Sequence, residues 1–408
     1  MSRARRPISR VLLRLAVAAA AALLAAKLGD AALGWVRDTP RRHLLRLTPN
    51  ATVRHRSAEY DYDYHTNAQG FRGPDYPLKK PPGMRRVVVI GDSFVAGSGV
   101  PEKDLLTTRL QELLNSSATD DSGDSPWQVV NVGRPGTSTV RELDLYEEVG
   151  REFEPDVVVL CYYLGNDLVE VLQETERADL AAWHPQGFIR RVAFFWCPNL
   201  YLELGLLKMT GRFERQMQRR SEEEVLADLR QDAAWQDRDP ERTATRYKAL
   251  PEDIRQLVES GLFHQPRLAP ACVQPDWIRR AVDPGNEHFD LAWPRTERHL
   301  ELLREAVARD GARLIVAVIP AVCQVSPASL AFDRRLGYDV DEAWLSQPGR
   351  TAAAVHDWAE RSNVRLLDFT GSFRASEAPL YFLQDAHFNA AGHRRAAELL
   401  AEELRSAL

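Results

Sequence analysis

The sequence predicts an α/β fold built on a parallel sheet, together with a largely helical insertion and an N-terminal membrane segment. Five short apolar runs predict the strands: Arg85–Ile90, Trp127–Val132, Asp156–Leu160, Arg313–Ile319 and Val364–Leu367. Continuous apolar runs rich in β-branched residues are typical of strands buried on both faces. Helical patterns separate these runs, and strands that alternate with helices indicate a parallel sheet.

The intervening helices are predicted from apolar residues at helical spacing. They cover residues 107–114, 140–149, 296–309 and 352–361, and a last helix starts near Ala390. The acidic, serine-rich stretch 116–125 is predicted to be a loop.

The strand–helix rhythm stops between about residues 168 and 293, which are rich in charge and tryptophan. A segment of this length is too long for a bare loop, so we interpret it as an inserted, largely helical cap. The sequence leaves open whether the cap lies beside the active site or forms a peripheral subdomain without a catalytic role.

The N-terminus carries several arginines followed by an apolar run from Leu15 to Ala26, which Arg14 and Lys27 flank. Flanking basic side chains can reach the membrane surface, and this extends the usable segment. We therefore expect residues 1–37 to be a basic tip and a membrane anchor, with a cleaved signal peptide as the alternative. Residues 38–83 are expected to be a linker and N-terminal extension, and residues 84–408 the catalytic domain.

The composition excludes several classes of function. The chain has 408 residues, 44% hydrophobic and 27% charged, with a net charge of −5. This balance is ordinary for a globular protein and offers no basic face for nucleic acid. No metal-binding spacing and no phosphate-binding loop occurs, so we expect no cofactor and no metal. Whether Cys197 and Cys272 pair in an oxidising compartment stays open.

Candidate functional residues follow the predicted strands. Ser93 follows the first strand, Gly136 the second and Asn166 the third, and Asp385 and His387 come after the fifth. In a parallel sheet the carboxyl ends of the strands meet at one edge, where α/β folds bind ligands. We therefore expect these five residues to lie together.

Their residue types are those that acyl transfer requires. Serine is a weak nucleophile and needs a base such as His387 within hydrogen-bonding reach. Asp385 would orient the imidazole and stabilise its charged form. The backbone N–H groups of Ser93 and Gly136 and the side-chain amide of Asn166 would form an oxyanion hole.

These blocks, in this order, resemble those of the SGNH (GDSL-type) hydrolases. The resemblance covers about residues 84–167 and 312–408. It implies a flavodoxin-like three-layer α/β/α fold and ester hydrolysis, with Ser93 as nucleophile, Gly136 and Asn166 in the oxyanion hole and His387 as base. In this family the acid usually lies three residues before the histidine, whereas Asp385 lies two before. We expect extended backbone here, which would put both side chains on one face.

Several alternatives stay open. His393 is a rival base, Gly133 is a rival to Gly136, and Asp385 could be a solvated loop residue. The other histidines that we considered show no ligand spacing and are interpreted as surface or core residues: His264, His288 and His299.

The leading hypothesis is a membrane-anchored, extracytoplasmic serine esterase acting on a small-molecule, glycan or lipid ester. The alternatives are an O-acyltransferase that uses the same residues and a non-catalytic binding module with the same fold. For location, the alternative is secretion after signal cleavage.

Overall fold

The computed structural model describes residues 6–36, 47–116, 125–174, 188–201 and 217–407. These residues belong to two compact units, one formed by Met1–Leu44 and Ala178–Arg215, the other by Leu45–Arg177 and Gln216–Leu408. The domain limits expected at residues 37 and 83 stay a prediction. The predicted loop 116–125 lies mostly outside the described residues.

The strands are β1 (Thr52–Arg56), β2 (Asp61–His65), β3 (Arg85–Gly91), β4 (Trp127–Gly133), β5 (Val157–Tyr163), β6 (Arg313–Ile319) and β7 (Arg365–Asp368). The α-helices are α1 (Arg6–Val36), α2 (Ser93–Ala96), α3 (Leu106–Ser116), α4 (Thr139–Glu148), α5 (Asp167–Glu170), α6 (Phe188–Trp196), α7 (Glu222–Trp235), α8 (Pro240–Lys248), α9 (Glu252–Glu259), α10 (Gln265–Val273), α11 (Trp277–Val282), α12 (Asn286–Arg309), α13 (Pro327–Leu336), α14 (Arg350–Arg361), α15 (Thr370–Arg374) and α16 (Ala390–Ala407).

Strands β3 to β7 form one parallel sheet in the order β4-β3-β5-β6-β7. This is the flavodoxin-like order, in which the chain reverses its direction of growth between β3 and β5. The predicted fold class is therefore confirmed. Strand β5 runs three residues further than predicted, to Tyr163, because its last residues still pair with β6 up to Ile319.

Helices cover both faces of the sheet, as the apolar strands require. On one face α4, α12 and α14 pack over a core that includes Val88, Leu160 and Trp358. On the other face α3 and α16 pack over a core that includes Val89 and Leu400. Helix α12 begins ten residues before its predicted start.

The described part of the predicted insertion is helical. Helices α7 to α11 enclose a third core together with α13, which follows β6. An antiparallel hairpin, β1 and β2, precedes the sheet in a segment that the sequence indicated only as a linker and extension. Both of its Tyr side chains that point inward, Tyr62 and Tyr64, are buried.

The smaller unit contains α1 and α6. Helix α1 includes a stretch from Arg10 to Gly34 that is long and apolar enough to cross a membrane. The four cysteines of the chain, Cys197 and Cys272 among them, are free.

Candidate active site

The predicted site residues of the sheet follow the carboxyl ends of three neighbouring strands. Ser93 follows β3, Gly136 follows β4 and Asn166 follows β5. The ends of these strands are level, because Gly91 pairs with both Gly133 and Cys161. The site therefore lies at the point where the strand order reverses, the usual place for a ligand in such sheets.

A tight turn presents Ser93. Asp92 caps α2 by accepting a hydrogen bond from the Phe94 N–H at 2.9 Å, so Ser93 becomes the first residue of that helix. The turn requires close packing against β4, since a Cβ on Gly133 would lie 2.3 Å from the backbone nitrogen of Ala96. The capping role that the sequence suggests for Asp92 is thus compatible with an accessible serine beside it.

Ser93, His387 and Asp385 form a continuous chain of hydrogen bonds. Nε2 of His387 lies 2.7 Å from Oγ of Ser93. On the other side of the ring, Nδ1 of His387 is hydrogen-bonded to Oδ1 of Asp385. Asp385 is buried and is therefore not a solvated loop residue. This is the arrangement in which a histidine can accept the serine proton while the carboxylate holds the ring.

The pKa shifts of His387 and Asp385 suit the transfer of a proton from Ser93 to His387. Burial opposes charge on His387, but the neighbouring Asp385 carboxylate outweighs it and raises the pKa of the imidazole. Burial likewise opposes charge on Asp385, yet His264 and His387 together hold the pKa of this carboxyl well below its ordinary value. Asp385 is therefore the anionic partner of the network.

The backbone between the acid and the base differs from the prediction. Ala386 has a φ of 67°, in the left-handed region, so the expectation of extended backbone is wrong. Oδ1 of Asp385 accepts the backbone N–H of His387 at 3.2 Å, and this closes a tight turn. The turn brings the two side chains together at a spacing of two residues.

The rival residues occupy other roles. Nδ1 of His393 accepts the Leu106 N–H at 3.1 Å, and burial lowers the pKa of His393 to about 3. The Gly133 N–H donates to Oδ1 of Asn131 at 2.9 Å, so it is already engaged. Gly136 has a φ of 70° and is exposed on the turn after β4.

The Asn166 amide lies beside the turn that presents Ser93. Its Nδ2 donates to Oδ2 of Asp92 over a long 3.4 Å, and Asn166 also interacts with Glu170. Hydrogen bonds of catalytic groups are often long before substrate binds.

Two side chains that sequence reasoning missed also bind Asp385. The Tyr60 hydroxyl donates to Oδ2 at 2.5 Å, and Nδ1 of His264 lies 2.9 Å from the same oxygen. The interpretation of His264 as an ordinary surface or core residue is therefore wrong. His264 lies in the predicted insertion, so the insertion contributes to the site.

The N-terminal extension holds both the loop that carries Asp385 and the loop that follows Ser93. The Glu59 carboxylate accepts the backbone N–H groups of Leu383, Gln384 and Asp385 at 2.7, 3.0 and 2.9 Å. Just beyond the hairpin, the buried Arg72 guanidinium donates to the carbonyl groups that follow α2, at 2.6 Å to Gly97 and 2.9 Å to Val100. No motif marks these contacts, although the acidic and aromatic run 59–64 is a weak signal.

Three buried carboxyl groups, Asp92, Glu142 and Asp167, and the half-buried Glu170 form an acid cluster next to the turn that presents Ser93. Burial raises the pKa of each, and their mutual repulsion adds to the effect for Glu142, Asp167 and Glu170. In the described part of the chain neither carboxyl oxygen of Glu142 has a hydrogen-bond partner. Burial and repulsion therefore both oppose ionisation within this acid cluster.

One group of side chains in the described residues has the composition of a metal site: His264, Asp385 and His387, whose nearest ligand atoms lie within 4.8 Å of one another. Both histidines point Nδ1 directly at the Asp385 carboxylate. Direct nitrogen–oxygen hydrogen bonds leave no position between these atoms for an ion. We therefore assign the group to the hydrogen-bond network of Ser93.

Comparison with protein families identifies the domain. Residues 274–408, which include Asp385 and His387, match the model of the SGNH hydrolase-like domain of the acetyltransferase AlgX. This part of the chain is therefore similar to an SGNH hydrolase-like domain. Ser93, Gly136 and Asn166 lie upstream of the matched part, on the same sheet. No curated protein matches the sequence significantly.

Solved structures similar to this chain include three proteins named for ester cleavage. They are the lipase/acylhydrolase from Enterococcus faecalis (12% identity, 79% of this chain, 96% of that chain, TM-score 0.37), a GDSL-like lipase from Bacteroides thetaiotaomicron VPI-5482 (11%, 79%, 89%, 0.34) and the acetyl xylan esterase AlAXEase (12%, 79%, 100%, 0.36). Similarity at this level carries no argument about activity. The assignment rests on the family match and on the sheet.

Proposed function

We propose that this protein is a serine-dependent enzyme that removes acyl groups from esters through an acyl-enzyme on Ser93. One observation carries the proposal: Oγ of Ser93 is hydrogen-bonded to His387, whose other ring nitrogen is hydrogen-bonded to the buried Asp385. A binding module without catalytic activity has no need of an ionised carboxylate, an imidazole and a partly exposed hydroxyl joined by hydrogen bonds.

The first half of the reaction forms the acyl-enzyme. Oγ of Ser93 attacks the ester carbonyl carbon, and its proton moves to Nε2 of His387. Asp385 stabilises the imidazolium that results. When the tetrahedral intermediate collapses, the bond to the alcohol oxygen breaks, and His387 returns the proton to the leaving alcohol.

The second half releases the acyl group. Water enters where the alcohol left, gives its proton to His387 and attacks the acyl carbonyl carbon. The bond to Oγ of Ser93 then breaks, the serine regains its proton, and a carboxylic acid leaves. In both halves the negative oxygen would be held by the N–H groups of Ser93 and Gly136 and by the Asn166 amide, and one such donor typically contributes about 10²–10³ in rate.

Transfer to an alcohol acceptor is the second candidate, and the match of residues 274–408 to the domain of an acetyltransferase favours it. The first half-reaction would be unchanged. A hydroxyl group of a glycan or lipid would replace water in the second half, with His387 again accepting the proton.

The proposed location follows from α1. Its apolar stretch suits an uncleaved anchor, with the basic N-terminus in the cytoplasm and the catalytic domain outside it. An ester on an envelope glycan or lipid would then be within reach.

Intact-protein mass spectrometry after fluorophosphonate treatment tests the proposal. We expect one adduct on Ser93 that is lost in Ser93→Ala and in His387→Ala. Folded protein that gives no adduct would contradict the enzymatic proposal and favour the binding module. A second assay uses p-nitrophenyl acetate as donor and a sugar oligomer as acceptor. Release of free acetate alone supports hydrolysis, and formation of an acetylated sugar oligomer supports transfer.

A further inference from the structure

Lys27 and Asp30, near the end of the apolar stretch of α1, bind the last residue of α6 and the segment that follows it. Nζ of Lys27 donates to the Trp196 carbonyl at 2.7 Å. The Asp30 carboxylate accepts the Leu200 N–H at 2.8 Å and Nδ2 of Asn199 at 3.2 Å. Asp30 is buried as a result, although α1 is otherwise almost wholly exposed.

Gly34 completes this contact. A Cβ built on Gly34 would lie 2.7 Å from Nδ2 of Asn199, so a larger residue at position 34 would have to displace the Asn199 side chain. Lys27, Asp30 and Gly34 are three and four residues apart, a spacing that places them on one face of the helix. Residues 196–200 are therefore docked on a defined face of α1.

The docked face lies at one end of the candidate span. Helix α1 has 31 residues, which gives a length of roughly 46 Å at 1.5 Å per residue, more than the hydrocarbon thickness of a bilayer. The span from Arg10 to Gly34 ends at this face. If α1 spans the bilayer, the docked segment lies near the level of the lipid headgroups.

Several apolar side chains of α6 are exposed. Phe188 is 82% exposed and Phe195 80% exposed, and Val192 between them is also exposed. Their spacing of four and three residues places them on one face of the helix. Trp196, at the end of α6, is exposed too.

We propose that α6 lies in the membrane interface as a second lipid-contacting element, docked on the anchor helix through Lys27, Asp30 and Gly34. Amphipathic helices with Phe and Trp on one face insert that face at the boundary of headgroups and acyl chains. Tryptophan is enriched at this level. Charged residues in a membrane helix are costly unless partnered, and the docked segment partners both.

The apolar face of α6 adjoins the apolar surface of α1, and this continuity indicates that lipid covers it. The face begins beside a helix whose own exposed surface is apolar over the candidate span, and both helices belong to one compact unit. A lipid bilayer covers the two surfaces together. The inference rests on the proposed anchor and is independent of the catalytic proposal.

Spin-label accessibility in the full-length protein tests the lipid contact. The protein carries Cys197→Ser, which leaves Cys161, Cys272 and Cys323 buried, and a nitroxide at Phe195→Cys. It is reconstituted in vesicles of phosphatidylethanolamine and phosphatidylglycerol. We expect the nitroxide at position 195 to collide more often with oxygen than with a water-soluble nickel chelate. The matched control is Trp235→Cys, an exposed aromatic residue of α7 in the other unit, where we expect the reverse.

Each other outcome overturns the inference. Preferential collision with the nickel chelate at position 195 would place α6 in water, and protection from both reagents would mean that protein covers it. An intact mass that lacks the first 36 residues would remove the anchor on which α6 docks. None of these results bears on whether Ser93 reacts with a fluorophosphonate.

Two glycine variants test the docking separately. Gly34→Leu places a side chain where Asn199 lies, whereas a Cβ at Gly29 meets no atom within 4 Å. We expect Gly34→Leu to increase the mobility of the label at position 195 and to reduce its excess of oxygen collisions. Gly29→Leu adds the same apolar side chain and should change neither. Equal behaviour of the two variants would contradict the docked contact.

Discussion

The Tyr60 hydroxyl donates a hydrogen bond to Oδ2 of Asp385, the carboxylate oxygen opposite the one that His387 binds. The two residues are 325 positions apart, so the N-terminal hairpin reaches the proposed acid of the Ser93 network. Asp385 thus has both oxygens engaged, one by the base and one by residues outside the sequence motifs.

Tyr60→Phe should weaken catalysis without removing it. A hydrogen bond to a charged group contributes roughly 1.5–3 kcal/mol, so kcat/KM should fall about 10- to 100-fold. With one donor fewer, Asp385 acts more strongly on His387, and the acid limb of the pH–rate profile should move to higher pH. The control is Tyr76→Phe, which loses a hydrogen bond to Gln111 instead. An unmoved limb would contradict a positioning role for Tyr60.

His264→Phe tests whether His264 acts through Asp385. The variant removes a partner of Oδ2 and should lower kcat/KM. In a double-mutant cycle the same change should have little further effect in the Asp385→Asn background, since the shared partner is already altered. His288→Gln, elsewhere in the predicted insertion, should have no effect in either background. Additive losses would mean that His264 acts independently of the acid.

Asp385→Asn separates the two influences on His387. In the wild type burial lowers the pKa of His387, and the Asp385 carboxylate raises it by more. Without that charge burial is the largest remaining influence, so the pKa of His387 should fall and the acid limb should move to lower pH. The rate on the plateau should drop about 10⁴-fold because the ring loses its orienting acceptor. Kinetics of p-nitrophenyl acetate cleavage across pH measure both effects.

Sequence reasoning predicted the parts of the fold that local patterns control. The apolar runs gave five strands and their order along the chain, and the blocks at their ends placed Ser93, Asn166 and His387 near one another. Tyr60 and His264 could not be found in this way. Their contacts with Asp385 depend on how the hairpin and the insertion pack on the domain, which no periodicity or spacing encodes.

The prediction of extended backbone at Ala386 was wrong for a different reason. The two-residue spacing of Asp385 and His387 gives no indication of a positive φ between them. Steric clashes disfavour a positive φ at a residue other than glycine. The Glu59 carboxylate holds the preceding N–H groups and supports this conformation from outside the loop.

Gly133→Ala should destabilise the fold and displace the nucleophile. The new methyl group would lie 2.3 Å from the backbone nitrogen of Ala96, in the same short helix as Ser93. Overpacking of this kind costs about 1–3 kcal/mol. Melting temperature and kcat/KM should both fall. In Gly371→Ala the methyl group meets no atom within 4 Å and should leave activity unchanged. Wild-type activity and stability in Gly133→Ala would contradict the close packing of α2 on β4.

Glu142→Gln should stabilise the protein increasingly as the pH rises. Burial and the neighbouring carboxylates raise the pKa of Glu142 well above its ordinary 4.5, the value expected in the unfolded chain. The folded state therefore keeps a proton that the unfolded state loses. The stability that this group contributes is complete below 4.5 and declines above it, by up to about 1.4 kcal/mol per pH unit until its folded pKa is reached.

Glutamine resembles the protonated carboxyl and cannot ionise, so the variant escapes this decline. The difference in melting temperature between variant and wild type should be near zero in acid and should grow as the pH rises above the ordinary pKa of 4.5. Glu360→Gln, at an exposed position on α14, should show a constant difference. If the Glu142→Gln difference is also constant, Glu142 is ionised in the folded state, and the acid cluster next to the turn that presents Ser93 carries charge.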